Sequence, residues 1–126
     1  TLSNYALSYL FLQYIRAQAG NDAIFRDILL SNDNSSNVIV SALTKYGVTK
    51  SLGEILTDFR IALVLKNGSG PYGFRGDGDF NSIAVQFYSG GSKELRGGSA
   101  VYKSINPSFT DPGNSGSSIQ YVGICN

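Results

Sequence analysis

The sequence predicts an α+β chain, with a compact four-helix unit over residues 1–67 and a small antiparallel β unit over residues 68–126. Residues 1–67 contain four stretches in which apolar side chains recur every three or four positions, which is the spacing of one helix face. The glycines divide three to twelve between the two parts, and all three prolines lie in the second part. Helix interiors tolerate both residues poorly, so the change in composition marks a subdomain boundary.

The first predicted helix begins at Ser3 or Asn4, either of which can accept hydrogen bonds from free backbone amides, and runs to Ala19. Gly20 supplies the left-handed residue that commonly ends a helix. Residues 4–16 are apolar on nearly every face. Since a helix without a polar face must be covered by other structure, we expect the following segments to pack around it.

Three tyrosines of this helix could line a ligand groove. A tyrosine on a buried helix more often packs its ring and sends its hydroxyl to a nearby carbonyl, so Tyr9 and Tyr14 are predicted to lie in the core. Tyr5 lies nearest the helix start and is the one most open to a role in a cleft.

Two shorter helices are predicted over residues 23–30 and residues 37–46, the first of them capped by Asn21 or Asp22. Residues 31–36 are all Ser, Asn or Asp and separate the two helices as a loop. Such side chains compete with the helix for backbone hydrogen bonds.

The fourth helix has the clearest start signal in the chain. Ser51 and Glu54 have the spacing of a capping box, in which each side chain accepts a hydrogen bond from the backbone amide of the other. The apolar face behind them continues until Asn67 and Gly68 end it. Four helices joined by short loops favour a compact bundle.

Short alternating or β-branched runs replace the helical pattern after residue 67. They cover residues 83–88, 99–105 and 119–124, and residues typical of turns separate them. We therefore predict three or four antiparallel strands.

Composition excludes several classes of partner. Ten Lys and Arg against nine Asp and Glu leave a net charge of +1 with no basic block, which argues against nucleic acid. No apolar run is long enough to span a membrane.

The chain contains no Met, so we expect it to be a piece of a longer protein. Its Ser, Asn, Gly and Tyr content is compatible with a secreted or cell-surface location.

The sequence predicts no catalytic, cofactor-binding or metal-binding residue within this chain. It contains no histidine, whereas serine and cysteine hydrolases of the common kind need an imidazole base and catalytic zinc usually has a histidine ligand. The single cysteine, Cys125, cannot form an internal disulfide. We interpret it as a small apolar filler at a strand end, with a link to a partner chain as the alternative.

The acidic stretch that begins at Asp77 offers a calcium site as an alternative to a plain polar turn. Asp77, Asp79 and Asn81 place oxygen ligands at alternate positions, as the first half of a calcium loop does. The remainder of that pattern fails, because Ser82 stands where glycine is needed and Tyr88 where a bidentate glutamate is needed. The favoured interpretation is a polar turn.

Two segments resemble a known family. Residues 5–15, which read Tyr-Ala-Leu-Ser-Tyr-Leu-Phe-Leu-Gln-Tyr-Ile, and residues 24–29 after Gly20 resemble the helical segment downstream of the zinc motif in hyicolysin-like, thermolysin-related metallopeptidases. Residues 51–62 are similar to a later helix of that family, with Phe59 where tryptophan is commoner. The resemblance covers about residues 4–66.

The resemblance implies the C-terminal structural portion of a secreted zinc metallopeptidase, which forms one wall of the substrate cleft and is not catalytic alone. The family's paired histidines and its glutamates have no counterpart here, so no catalytic role transfers and zinc is expected only in the parent enzyme. Expected partners are the N-terminal catalytic part of the same parent chain and a protein or peptide substrate. The alternative is a surface-binding module, adhesin-like or carbohydrate-binding, that uses Tyr72, Phe74, Tyr88 and Tyr102.

Overall fold

The protein is described by a computed structural model that covers residues 2–80, 82–91, 93–105 and 119–124, with side chains from residue 6 onward. The helices within these residues are α1 (Leu2–Ala19), α2 (Ala23–Leu29), α3 (Asn37–Lys45) and α4 (Leu52–Leu65), followed by a 3-10 turn at Gly78–Phe80.

The predicted helices are confirmed and the predicted antiparallel β unit is wrong. Beyond α4, the described residues form no strand and no sheet, and their one bridge pairs Phe87 with Tyr102 in a parallel sense. A sheet is stable when one face is buried. In residues 83–88 half of the residues are exposed and none is fully buried, and in residues 119–124 five of six are exposed, so neither run has a buried face.

The chain divides into two compact units, Thr1–Ala84 and Val85–Asn126. In the second unit the Tyr88 amide donates to the Tyr102 carbonyl at 2.7 Å, and the Lys93 ammonium lies 5.0 Å from the centre of the Tyr88 ring. No side chain among the described residues of this unit is fully buried. The division into subdomains at residue 67 stays a prediction.

The helix ends follow the expected local chemistry. The Ser51 hydroxyl accepts from the Glu54 amide at 3.2 Å, and the Glu54 carboxylate accepts from the Ser51 amide at 3.2 Å, which confirms the capping box. Gly20 ends α1 with a φ of 69°, a left-handed conformation that glycine adopts without steric cost. Lys66 takes a left-handed conformation at the end of α4, one residue before the predicted stop at Asn67.

The core of the first unit draws on all four helices. Its largest fully buried side chains are Ile15, Ile24, Leu43, Ile55 and Phe59. Burial of side chains of this size contributes about 1.5–3 kcal/mol each, which makes this cluster the main source of stability in the unit.

A chain of aromatic contacts extends this core beyond the helices. Phe59 of α4 packs against Phe11 and Tyr14 of α1, with ring centres 5.1 and 5.5 Å apart. Tyr14 meets Phe74 edge to face at 5.7 Å, and Phe74 stacks on Phe80 at 4.5 Å. The residues after α4 are thereby joined to α1 through ring packing.

Helix α1 is covered on one face and exposed on another. Tyr14 and Ile15 are buried as predicted, but Tyr9 is 58% exposed and Leu12 is 38% exposed, so the prediction that Tyr9 lies in the core is wrong. The Tyr5 side chain lies outside the described residues. Within the described chain, α2, α3, α4 and the segment after α4 pack against one side of the helix, and Tyr9 and Leu12 lie on the other.

Asp27 joins α2 to α3. Its carboxylate accepts from the Tyr46 hydroxyl at 2.5 Å and from the Lys45 ammonium at 3.0 Å. These hydrogen bonds, that from Tyr46 first, hold the pKa of the Asp27 carboxyl below its ordinary value of 3.8.

The Asp27 contacts predict a pH dependence of stability. Because the pKa is lowered in the folded state, the stabilisation is fully present above pH 3.8 and is lost as the pH falls through the folded-state value. We expect the melting temperature of Asp27→Asn to fall less than that of the wild type between about pH 6 and about pH 3. Asp79→Asn, at an exposed position, is the control, and an equal acid dependence of wild type and Asp27→Asn would contradict the assignment.

The aromatic core predicts a large difference between two apolar truncations. Phe59→Ala removes a ring shared by Phe11 and Tyr14 and should lower the free energy of unfolding by about 3–5 kcal/mol. Leu29→Ala, at a position 83% exposed, should change it by less than about 0.5 kcal/mol. Urea unfolding measures both, and similar losses would show that Phe59 is not central to the core.

Candidate functional site

An open groove of about 610 Å³ lies between the C-terminal part of α1 and the segment that follows α4. Each side carries one cation and one carboxylate. The lining residues are Arg16, Ala17, Gly20, Asn21 and Asp22 on the first side, and Phe74, Arg75, Gly76 and Asp77 on the second.

Gln18 fixes the second side of the groove to α1. It is 8% exposed, and its side-chain nitrogen donates to the carbonyls of Gly70 and Gly73, each at 3.1 Å. Its side-chain oxygen accepts from the Arg75 guanidinium at 3.2 Å. Both ends of the amide are therefore used, as a buried polar group requires.

Tyr14 provides the second anchor. Its hydroxyl donates to the Pro71 carbonyl at 2.6 Å. Burial of the ring, and next the nearby Asp58 carboxylate, raise the pKa of Tyr14 well above its ordinary value of 10.0. The phenol therefore stays protonated and remains a hydrogen-bond donor at neutral pH.

The loop between these anchors is tightly closed on itself. The Asn67 amide donates to the Tyr72 carbonyl at 3.0 Å. A Cβ atom added at Gly73 would overlap the backbone of Asn67, whereas one added at Gly78 would meet open space. Glycine at position 73 is needed for this close approach of two backbone segments.

The two cations of the groove differ in their partners. Arg16 pairs with Asp77 at 3.0 Å, lies 3.7 Å from Asp22 and donates to Gln13 at 2.9 Å. Among the described residues, no carboxylate lies within ion-pair distance of Arg75, whose hydrogen bond goes to the neutral Gln18 amide. The groove therefore contains one cation balanced by carboxylates and one cation that is not.

Asp77 directly precedes the 3-10 turn, Asp79 lies within it, and the two are joined by a hydrogen bond. One oxygen of Asp77 accepts from the Asp79 amide at 3.1 Å, and the other accepts from Arg16. Both oxygens of Asp77 thus accept hydrogen bonds, one within the turn and one from α1. Asn81, the third residue of the calcium alternative, lies outside the described residues.

The described residues do not fit a zinc site. Over residues 2–80, 82–91, 93–105 and 119–124, no three His, Cys, Asp or Glu side chains come close enough to share a metal ion. Cys125 lies outside this part of the chain.

The aromatic residues of the surface-binding alternative have different environments. Phe74 is buried in the core of the first unit at 4% exposure, so it cannot contribute to an exposed aromatic patch. Tyr72, in the same unit, is exposed. Tyr88 and Tyr102 belong to the second unit and are half-buried.

Gln18, which fixes the second side of the groove, was not singled out from the sequence. Gln18 follows Tyr14 by four positions, which places it on the buried face of α1. A glutamine at such a position signals a buried amide that needs partners. The partners are backbone carbonyls more than fifty residues away, which no local pattern identifies.

Comparison with known proteins supports the resemblance noted from the sequence. No protein-family model matches the chain. The chain is 49% identical over 85 residues to the neutral metalloprotease ShpI of Staphylococcus hyicus, and the match covers 66% of this chain and 19% of that protein. The predicted resemblance to hyicolysin-like zinc metallopeptidases is confirmed, and the chain spans about a fifth of the length of this relative. In the part of the chain that the structure describes, no helix is long and apolar enough to cross a bilayer.

The close approach at Gly73 predicts a sharp contrast between two glycine substitutions. Gly73→Ala forces the Asn67 backbone to move and should lower the free energy of unfolding by about 1–3 kcal/mol. Gly78→Ala, which meets open space, should have an effect below about 0.5 kcal/mol. Chemical denaturation of both variants is the measurement, and a neutral Gly73→Ala would mean that the loop is not closed in this way.

Proposed function

We propose that this chain is the C-terminal structural portion of a secreted zinc metallopeptidase, where it forms one wall of the substrate cleft and is not catalytic by itself. The observation that carries the proposal is the 49% identity over 85 residues to part of a neutral metalloprotease. The metal and the catalytic groups belong to the other part of the proposed enzyme.

The groove supports a role as a cleft wall. A substrate site needs side chains held in place by a rigid support. Here α1 forms one side, and the opposite side is tied to it through Tyr14, Gln18 and Arg16. The proposed substrate is an extended stretch of protein or peptide that lies along this groove.

The exposed face of α1 supports the proposed partner. Tyr9 and Leu12 lie one helical turn apart and are both exposed. In the proposed enzyme the N-terminal catalytic part of the same parent chain covers this face. Burial of two such side chains would stabilise the association by about 3 kcal/mol, before the cost of ordering the two parts.

Sequencing the source gene upstream of the Thr1 codon tests the proposal directly. We expect a His-Glu-x-x-His stretch followed by a zinc-binding glutamate, because a metallopeptidase needs these groups and this chain does not contain them. An open reading frame without such a stretch would overturn the proposal.

A complementation assay tests the cleft-wall role. The upstream part and this chain are expressed separately and mixed with zinc, and cleavage of a quenched fluorescent peptide is followed. We expect activity only in the mixture, and much less with the double variant Tyr9→Ser and Leu12→Ser. Leu29→Ser, a matched change at another exposed position, should support activity as the wild type does. Full activity of the upstream part alone would contradict a structural role.

A further inference from the structure

We propose that the groove binds a peptide through a carboxylate, and that Arg75 is the residue that receives it. The proposal rests on the proposed function in naming a peptide as the carrier of that carboxylate. It goes further in assigning the chemical group that the groove recognises and the side chain that recognises it.

The Arg75 backbone is held in a costly conformation. Its φ is 54°, in the left-handed region that non-glycine residues seldom adopt, and Gly76 follows with a φ of 82°. A residue remains in such a conformation when its surroundings hold it there. The preceding residue, Phe74, is buried, and the Arg75 guanidinium is hydrogen-bonded to Gln18.

This conformation places an available guanidinium on the groove wall. A guanidinium has five N–H donors in a planar fork. Among the described residues, one Nη2 donor of Arg75 is engaged, by the Gln18 side-chain oxygen at 3.2 Å. The Gln18 amide cannot turn away, because its nitrogen is held by two carbonyls. The guanidinium is therefore positioned in advance, with most of its donors open to a ligand.

The neighbouring charges favour a carboxylate at Arg75 over one at Arg16. Arg16 is already paired with Asp77 at 3.0 Å and lies near Asp22. A carboxylate that approached Arg16 would have to displace Asp77. Arg75 offers two parallel N–H groups, the geometry in which arginine binds carboxylates most strongly.

The groove also has room for a peptide backbone beside Arg75. Gly20 and Gly76 lie on its two sides without side chains, and Ala17 adds only a methyl group. A peptide can therefore lie between the two sides while its carboxylate meets the guanidinium. An open, solvent-accessible contact of this kind predicts a Kd of about 1 mM at low salt, weakening as salt is added.

The test is a nuclear magnetic resonance titration of the 126-residue chain with three short peptides. The first is acetyl-Ala-Ala-Ala with a free C-terminal carboxylate. The second is acetyl-Ala-Glu-Ala-amide, whose only carboxylate is a side chain. The third, acetyl-Ala-Gln-Ala-amide, has no carboxylate. We expect saturable shifts at Gly20, Gly76 and the Arg75 side chain with one or both of the first two peptides and none with the third.

Three substitutions separate the role of the Arg75 side chain from a general effect of positive charge. Arg75→Gln should weaken binding about tenfold, and Arg75→Lys should weaken it partly, because lysine keeps the charge but loses the fork. Arg26→Gln removes the same charge from an exposed position on α2 and should leave the Kd unchanged. If Arg75→Gln unfolds, the site of the wild-type shifts still decides the question.

Each outcome is decisive. Binding of the first peptide alone assigns a C-terminal carboxylate, and binding of the second alone assigns an acidic side chain. No binding, equal binding of the neutral peptide, or shifts away from the groove would overturn the proposal. If none of the peptides binds but the upstream gene encodes a zinc motif, the carboxylate site is refuted and the peptidase assignment is not. If a carboxylate peptide binds but the upstream gene encodes no zinc motif, the peptidase assignment is refuted and the carboxylate site is not.

Discussion

The burial of Tyr14 between Phe59 and Phe74 is the interaction on which the first unit depends. The ring joins α4 to the segment after it, and the hydroxyl holds that segment through the Pro71 carbonyl. An apolar ring with one polar end is suited to this position, because it fills the core and satisfies a backbone carbonyl at once. The groove exists because this contact holds its second side against α1.

Gln18 lies one turn further along α1 and holds the same segment through its side-chain amide. Its amide satisfies two carbonyls of a loop that has no regular secondary structure, and it leaves its oxygen for Arg75. Loops are usually exposed because their backbone groups need partners. Here one buried side chain supplies those partners, so that a loop rich in glycine packs on a helix and presents a cation at its edge.

The sequence predicted those parts of the fold that depend on local chemistry. The Ser51 capping box, the left-handed Gly20 and the four helices follow from side chains within a few positions of one another. The β unit was predicted from short alternating or β-branched runs between turn residues, and the described residues there have no fully buried side chain that would stabilise a sheet. Exposure of Tyr9 was missed because hydrophobicity indicates which side chains could be buried, not how many neighbours are present to cover them. The groove was beyond prediction, since Gln18 and Arg75 meet through a contact across 57 positions.

Native-state hydrogen exchange of the Asn67 amide tests most directly whether α1 and the segment after α4 form one cooperative structure. This amide donates to the Tyr72 carbonyl inside the loop that Tyr14 and Gln18 hold. We expect it to exchange with the same free energy of opening as the amides of Tyr14 to Gln18 in α1. Fast exchange of Asn67, with α1 still protected, would show that the loop opens independently and that Tyr14 does not hold the unit together.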